Sequence, residues 1–253
     1  MTTEQIKNAL AAAGIDNAEG EAYILKEEFD GELLEKAVAR RINREPLQYI
    51  IGKWPFFREE YFVSPDCLIP RSDTEILVEW LVKHLPAGAR YLDLCTGSGC
   101  IAISLGKNRP DTAGVAVDVS EEALAMARKN AAHNHLDVCE FLRADVCKPS
   151  PFTETFDCIV SNPPYITDAA METLAPELAH EPRIALCGGE DGMHFYRAIL
   201  QNYKENLASG GCFAFELGYD QEEAIRALAA EHGFAVQALH DYGGNFRAAI
   251  LTK

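Results

Sequence analysis

The chain has 253 residues, 48% hydrophobic and 25% charged, an ordinary globular balance rather than that of a disordered chain. Its formal net charge of −16 argues against a protein that grips phosphate backbones, since that affinity comes from Lys and Arg. No stretch approaches the roughly 18 apolar residues of a spanning helix, and MTTEQIKNAL lacks the basic start and apolar run of a signal peptide, so a cytoplasmic protein is expected.

Residues 1–52 read as a small helical unit. TTEQ offers a hydroxyl three residues before Gln5, a capping-box pattern, and Gly14 is a plausible stop. Ala22, Leu25, Lys26 and Phe29, then Leu33, Leu34, Ala37, Val38 and Ile42, recur at helical spacing and give two stripes for a bundle. The basic cluster RRINR (residues 40–44) reads as a solvated helix face, with a partner contact as the sharper alternative. Pro46, Gly52 and Pro55 then break the helical pattern, and FFREEYFV reads as a short hairpin within a linker spanning 53–71.

A second unit fills 72–253. Ser72 or Asp73 can cap a helix whose apolar face is Ile76, Leu77, Trp80 and Leu81. Strand-like and helix-like segments then alternate: RYLDL and GCIAISLGKN, GVAVDV and EEALAMARKNAAHN, CEFLRA, FDCIV, a helix near 193–207, CFAFEL, a helix near 221–232, FAVQAL and FRAAILT. Such alternation means parallel βαβ units in an open doubly wound α/β sheet. A Gly-rich turn joins the last two strands, so the final strand should run antiparallel. The eight cysteines (67, 95, 100, 139, 147, 158, 187 and 212) contain no C-x-x-C pair and no nearby Cys/His ligand set. They read as reduced, structural thiols without a metal.

LDLCTGSGCIA lies where the first sheet strand hands over to a helix. Gly97 and Gly99 let the backbone pass close to a ligand, although tight corners also use such glycines, and Cys95 stands where a glycine is familiar. Asp118 ends the next strand 21 positions after Gly97, the spacing of an acid that grips ribose hydroxyls. Asp93 either holds the loop amides or touches the ligand, and Asp145 either reaches an adenine amino group or caps a helix. NAD and S-adenosylmethionine both suit this pattern, but no Tyr-Lys or His-Asp constellation suggests hydride chemistry.

At the fourth strand stands SNPPYI. Pro163 and Pro164 have no N–H to continue a ladder and turn the chain away stiffly, leaving an acceptor-rich loop: the Asn162 side-chain oxygen and the turn carbonyls, with Tyr165 as a flat wall. That pocket suits a planar NH2 group beside the cofactor. It holds no carboxylate or histidine as a strong base, so positioning would carry much of the catalysis.

EPLQYIIG, LIPRSDTEILVE, LDLCTGSGCIAISL, SNPPYI, HEPRIALCGGEDGMHFYR and FELGYDQ together resemble the bacterial release-factor N5-glutamine methyltransferases (the PrmC/HemK type), in order over residues 45–253. The resemblance implies a class I, Rossmann-like S-adenosylmethionine fold: seven mostly parallel strands with an antiparallel last one. It also implies methyl transfer to the glutamine of the Gly-Gly-Gln tip of class-1 peptide chain release factors. Carried over by position, Cys95, Thr96, Gly97, Ser98, Gly99, Asp118, Asp145 and Asn162 would bind S-adenosylmethionine. Asn162, Pro163, Pro164 and Tyr165 would hold the glutamine amide, with Asn162, Pro163 and Tyr165 as the catalytic set. Val146 replaces an aromatic found after the acid in some relatives. Arg71 and Glu75 match family positions without a secure role, and an ion pair in the hinge is the expectation for Arg71. The N-terminal helices would grip the release factor, with no direct nucleic-acid contact and the enzyme acting as a monomer. A methyltransferase acting on a nucleobase would need a basic groove; a non-catalytic binding subunit would have a damaged SNPPY.

Overall fold

The computed structural model describes residues 1–137, 139–241 and 243–253. The chain opens with four helices, α1 (Thr3–Ala12), α2 (Ala18–Glu28), α3 (Gly31–Ile42) and α4 (Leu47–Ile51). Thr2 and Gln5 close the expected capping box: the Gln5 N–H donates to Thr2 Oγ1 at 3.2 Å and the Thr2 N–H to Gln5 Oε1 at 2.8 Å. Gly14, at φ +74°, turns the chain out of α1. Ile6, Leu10, Ala22, Leu25, Leu34, Ala37 and Val38 form the small core.

Two expectations for α3 fail, for one reason. Leu33 and Ile42 are 61% and 38% exposed, while Arg41, from the cluster taken as solvated, is 5% exposed. Arg41 Nε donates to Glu21 Oε2 at 2.6 Å and Nη1 to Glu177 Oε1 at 3.1 Å. Arg44 donates to Glu177 Oε2 at 2.9 Å and to the carbonyls of Ala13 and Gly14. A guanidinium can leave water when carboxylates and carbonyls take its fixed fork of donors. The stripe has therefore rotated toward a partner more than 130 residues away.

The hairpin β1 (Lys53–Phe56) and β2 (Glu59–Phe62) begins three residues before FFREEYFV. Pro55 fits because a two-stranded ribbon leaves one side of each strand unpaired, where a missing N–H costs little. Next comes α5 (Ser72–His84), whose N-cap is Arg71, without a side-chain bond; Ser72 and Asp73 lie inside the first turn instead of capping it. There the Asp73 and Glu75 charges favour the helix dipole.

The main sheet contains β3 (Arg90–Leu94), β4 (Ala113–Asp118), β5 (Cys139–Arg143) and β6 (Phe156–Ser161). The helices α6 (Cys100–Asn108) and α7 (Glu121–His133) connect the first of these. After a small parallel pair, β7 (Ile166–Thr167) with β8 (Cys187–Gly189), follow α8 (His194–Tyr203), β9 (Leu207–Glu216), α9 (Glu222–Glu231), β10 (Ala235–His240) and β11 (Phe246–Thr252). α8 stops short of the expected 207 because Leu207 already opens β9. The seven strands run in the order β10-β11-β9-β6-β3-β4-β5, all parallel except β11, which is antiparallel to both neighbours as expected. Of the Gly-rich turn at 241–245, Tyr242 lies outside the described residues.

Register positions the site. Leu94 is paired with Val117 on one side and Ser161 on the other, so the loops leaving β3, β4 and β6 emerge side by side. Ser161 in turn faces Phe215, which brings Glu216 next to Asn162. These are the carboxyl ends of the parallel strands, where open α/β sheets bind ligands. The Ile166 N–H donates to Leu186 O and the Asp168 N–H to Gly189 O, so residues 166–189 form a folded connection beside the loop.

Candidate active site

A cavity of about 310 Å³ opens over these strand ends, within the range of small-molecule sites. The loop after β3 forms its floor. Cys95 has φ +60°, the left-handed conformation that normally calls for glycine at this position, and Gly97 has φ +55°. A Cβ on Gly97 would meet nothing within 4 Å, whereas one on Gly99 would lie 2.9 Å from Ile103 and 3.0 Å from Ala127. The two glycines therefore divide the roles left open by sequence: Gly97 faces the cavity, and Gly99 is the tight corner that brings α6 against α7.

Asp118 accepts the Gly97 N–H at 2.9 Å and the Ser120 N–H at 3.0 Å. Burial nevertheless raises its carboxyl pKa above the ordinary value. Asp93 is wholly buried and off the cavity wall; it accepts Thr96 Oγ1 at 2.5 Å and the Ala102 N–H at 3.2 Å, holding the loop. Asp145 lines the cavity and ties a turn through the Cys147 N–H at 2.9 Å; no helix follows it to be capped. Cys95, Thr96, Gly97, Ser98, Asp118, Asp145 and Asn162 share this wall, and Gly99 stands behind it. Val146, Phe195 and Ile184 add apolar surface. Phe195 was not singled out by sequence, and its only signal was membership of HEPRIALCGGEDGMHFYR. Open backbone at Gly97, acids at Asp118 and Asp145 and apolar walls suit a nucleoside-bearing cofactor with hydroxyl and amino groups to be accepted.

A wider cavity of about 770 Å³ lies on the other side of Asn162, between the N-terminal helices and the sheet. Tyr165, Ile166, Leu178, Trp54 and Pro46 line it. Asn162 borders both cavities, as do Leu68, Pro70, Arg71 and Ala185. Its Nδ2 donates to Thr74 Oγ1 on α5 at 3.3 Å. Pro163 and Pro164 are buried; Pro164 borders the first cavity and Pro163 neither. The loop is packed from behind, since a Cβ on Gly188 would lie 2.7 Å from Pro164 O. Gln221 Nε2 donates to Tyr165 O at 3.3 Å. Burial pushes the Tyr165 phenol far above its usual range, so it serves as a neutral wall.

Arg71 forms the expected ion pair, with Glu181, whose other oxygen accepts the Ile69 N–H at 3.0 Å. Glu75 accepts the Phe57 N–H at 2.9 Å and so fixes the hairpin turn. Among the described residues, no His/Cys/Asp/Glu group is arranged to hold a metal, and no helix is long and apolar enough to cross a membrane.

A glycine loop after one central strand, an acid after the next and an antiparallel strand inserted between β10 and β9 define a Rossmann-like methyltransferase. Residues 72–190 match the family described as methyltransferase small domain. The fold is shared with a ribosomal protein L11 methylase from Lactobacillus delbrueckii subsp. bulgaricus (TM-score 0.56, 19% identity, 76% of this chain and 83% of that one). It is also shared with a methyltransferase from Pyrococcus furiosus (TM-score 0.57, 21% identity, 76% and 86%). Over 227 residues the chain is 40% identical to the release factor glutamine methyltransferase of Thermodesulfovibrio yellowstonii, covering 87% of this chain and 81% of that one. To the enzyme of the same name from Neisseria gonorrhoeae it is 40% identical over 231 residues, covering 88% and 84%. The chain belongs to the release factor glutamine methyltransferase family.

Proposed function

We propose that this protein methylates the side-chain amide nitrogen of the Gly-Gly-Gln glutamine in class-1 peptide chain release factors, with S-adenosylmethionine as donor. One observation carries the reading: Asn162 is the shared wall of two cavities, and its amide nitrogen is committed to Thr74. Its oxygen is thereby left to accept an N–H from a planar amide entering through the wider cavity. Tyr165 gives that amide a flat neighbour, and the carbonyls of the proline turn offer further acceptors.

S-adenosylmethionine, when bound in the first cavity, supplies an electrophilic methyl group; Gly97, Asp118 and Asp145 are the residues to hold it. The protein's own task is to make an amide nitrogen react. That lone pair is delocalised, as the peptide bond's rotation barrier of about 18–20 kcal/mol attests. Hydrogen bonds that pull on both N–H groups help to localise it, and a fixed approach at roughly 3–3.5 Å supplies much of the rest. With no base on the loop, the proton held at Asn162 Oδ1 leaves only after the nitrogen has been alkylated.

The walls of the wider cavity argue against a nucleic-acid acceptor, because Glu21, Asp73, Glu75, Glu177 and Glu181 outnumber Arg41 and Arg71 there. Residues 1–52 serve as the recognition unit for the body of the release factor, and 53–71 as the linker to the catalytic unit 72–253. Mass spectrometry of purified release factor incubated with S-adenosylmethionine tests the reading. The wild type adds one methyl to the Gly-Gly-Gln glutamine and Asn162→Ala adds none; an equal mark from both proteins sinks the assignment of Asn162.

A further inference from the structure

Asn162 can act as described only if its two amide ends are not exchanged. The ends are nearly isosteric, so shape cannot choose between them and a hydrogen-bond partner must. Thr74 is an ambiguous partner, because its hydroxyl both donates and accepts. Whatever takes the Thr74 proton therefore decides which way Asn162 points.

Behind this pair sits Glu216, the last residue of β9, one strand over from Asn162 and opposite Ala248 of β11. It is 2% exposed, and Thr74 is 1% exposed. Its Oε2 is buried without a partner among the described residues, and the Thr74 and Asn162 side chains are near enough to favour its charged form. An ionised carboxylate only accepts. We infer that Glu216 is a positioning residue for methyl transfer: as a carboxylate it accepts a hydrogen bond from the Thr74 hydroxyl, turns the Thr74 lone pairs toward Asn162 Nδ2, and so holds Asn162 Oδ1 toward the acceptor amide.

This deepens the proposed function and rests on Asn162 being the acceptor's anchor. Protonation would reverse the chain. A neutral Glu216 donates to Thr74, Thr74 then donates to Asn162 Oδ1, and the oxygen needed by the substrate is consumed. The reversal falls in an accessible range: burial, opposed by Thr74, pushes the carboxyl up to about 7. The charged and titratable groups that face it are Asp73 on α5, Arg247 on β11, Tyr165 after β6, Tyr196 on α8 and Cys100 on α6. Burial keeps both phenols and the thiol protonated, and Arg247 stays charged, so among the groups facing this pair Glu216 carries the change near neutrality.

The test uses full-length Glu216→Gln, Thr74→Val and Thr74→Ser proteins. With release factor and S-adenosylmethionine at pH 8, Glu216→Gln and Thr74→Val lower kcat roughly tenfold with KM for the release factor unchanged. Thr74→Ser restores it, and the double variant Glu216→Gln/Thr74→Val is no slower than the slower single. Wild-type kcat falls as pH drops through about 7, and Glu216→Gln loses that limb. Side-chain amide NMR of Asn162, read without substrate, shows NH2 resonances hydrogen-bonded at pH 8 and altered by Glu216→Gln and by acid. Normal kcat and pH profile in folded Glu216→Gln, or an Asn162 amide indifferent to that substitution, overturns the inference. A wild type that leaves release factor unmarked overturns the proposed function instead, and the NMR signal still decides the orientation claim.

Discussion

Asp93 and Glu216 bring two carboxyls into the core beneath the strand ends, and burial pushes each up to about 7. Both folded pKa values lie above the ordinary ones, so the unfolded chain releases these protons first as pH rises. Their contribution to stability is whole below about pH 4 and is lost as pH rises to about 7. Keeping Glu216 ionised at pH 8 costs on the order of 3 kcal/mol. Glu216→Gln should therefore melt at a higher temperature than wild type at pH 8 and show little difference at pH 4, as scanning calorimetry would show. A variant that is more stable and slower is the signature of a group retained for function. The exposed Asp191 and the half-buried Asp241 act in the opposite sense. Arg197 and Asn245 respectively hold their carboxylates down to about 2, and that stability disappears as pH falls from about 4 toward 2.

Among the elements, those with local signals were legible. The capping box at Thr2 and Gln5, the turn at Gly14 and the alternation from β3 to β11 follow from neighbours a few residues apart. Even the departure at Cys95 was visible as a missing glycine, and its φ of +60° is the physical content of that gap. What sequence did not give depends on distant partners. The orientation of α3 is decided by Glu177, the cap of α5 gives way to an Arg71–Glu181 pair, and Phe195 reaches the cavity from a helix far along the chain. Gly99 tests how tightly α6 is seated. Gly99→Ala brings a methyl against Ile103 and Ala127 at a φ of +82°, and should cost about 1–3 kcal/mol in urea denaturation with weaker S-adenosylmethionine binding by calorimetry.

At the scale of the molecule, the N-terminal helices are fastened to the catalytic unit by charge. Arg41 and Arg44 converge on Glu177, and the wider cavity lies between the bodies they join. Glu177→Ala leaves Arg41 buried with Glu21 as its remaining carboxylate and should cost roughly 1–3 kcal/mol by denaturant titration. With intact release factor it should raise KM more than it lowers kcat, since Asn162, the proline loop and the first cavity are untouched. A fall in kcat alone would remove the recognition role from residues 1–52.

The central claim is that the pocket at Asn162 accepts a protein amide in preference to a nucleobase amino group. The most direct measurement is a competition in one vessel: intact release factor, ribosomal RNA and DNA at equal concentrations, with isotopically labelled methyl donor. The products would be separated and the methylated site located by fragmentation. The structure predicts label on the glutamine of the Gly-Gly-Gln tip and none above background on nucleic acid. Label on the nucleic acid with the glutamine unmarked would contradict it.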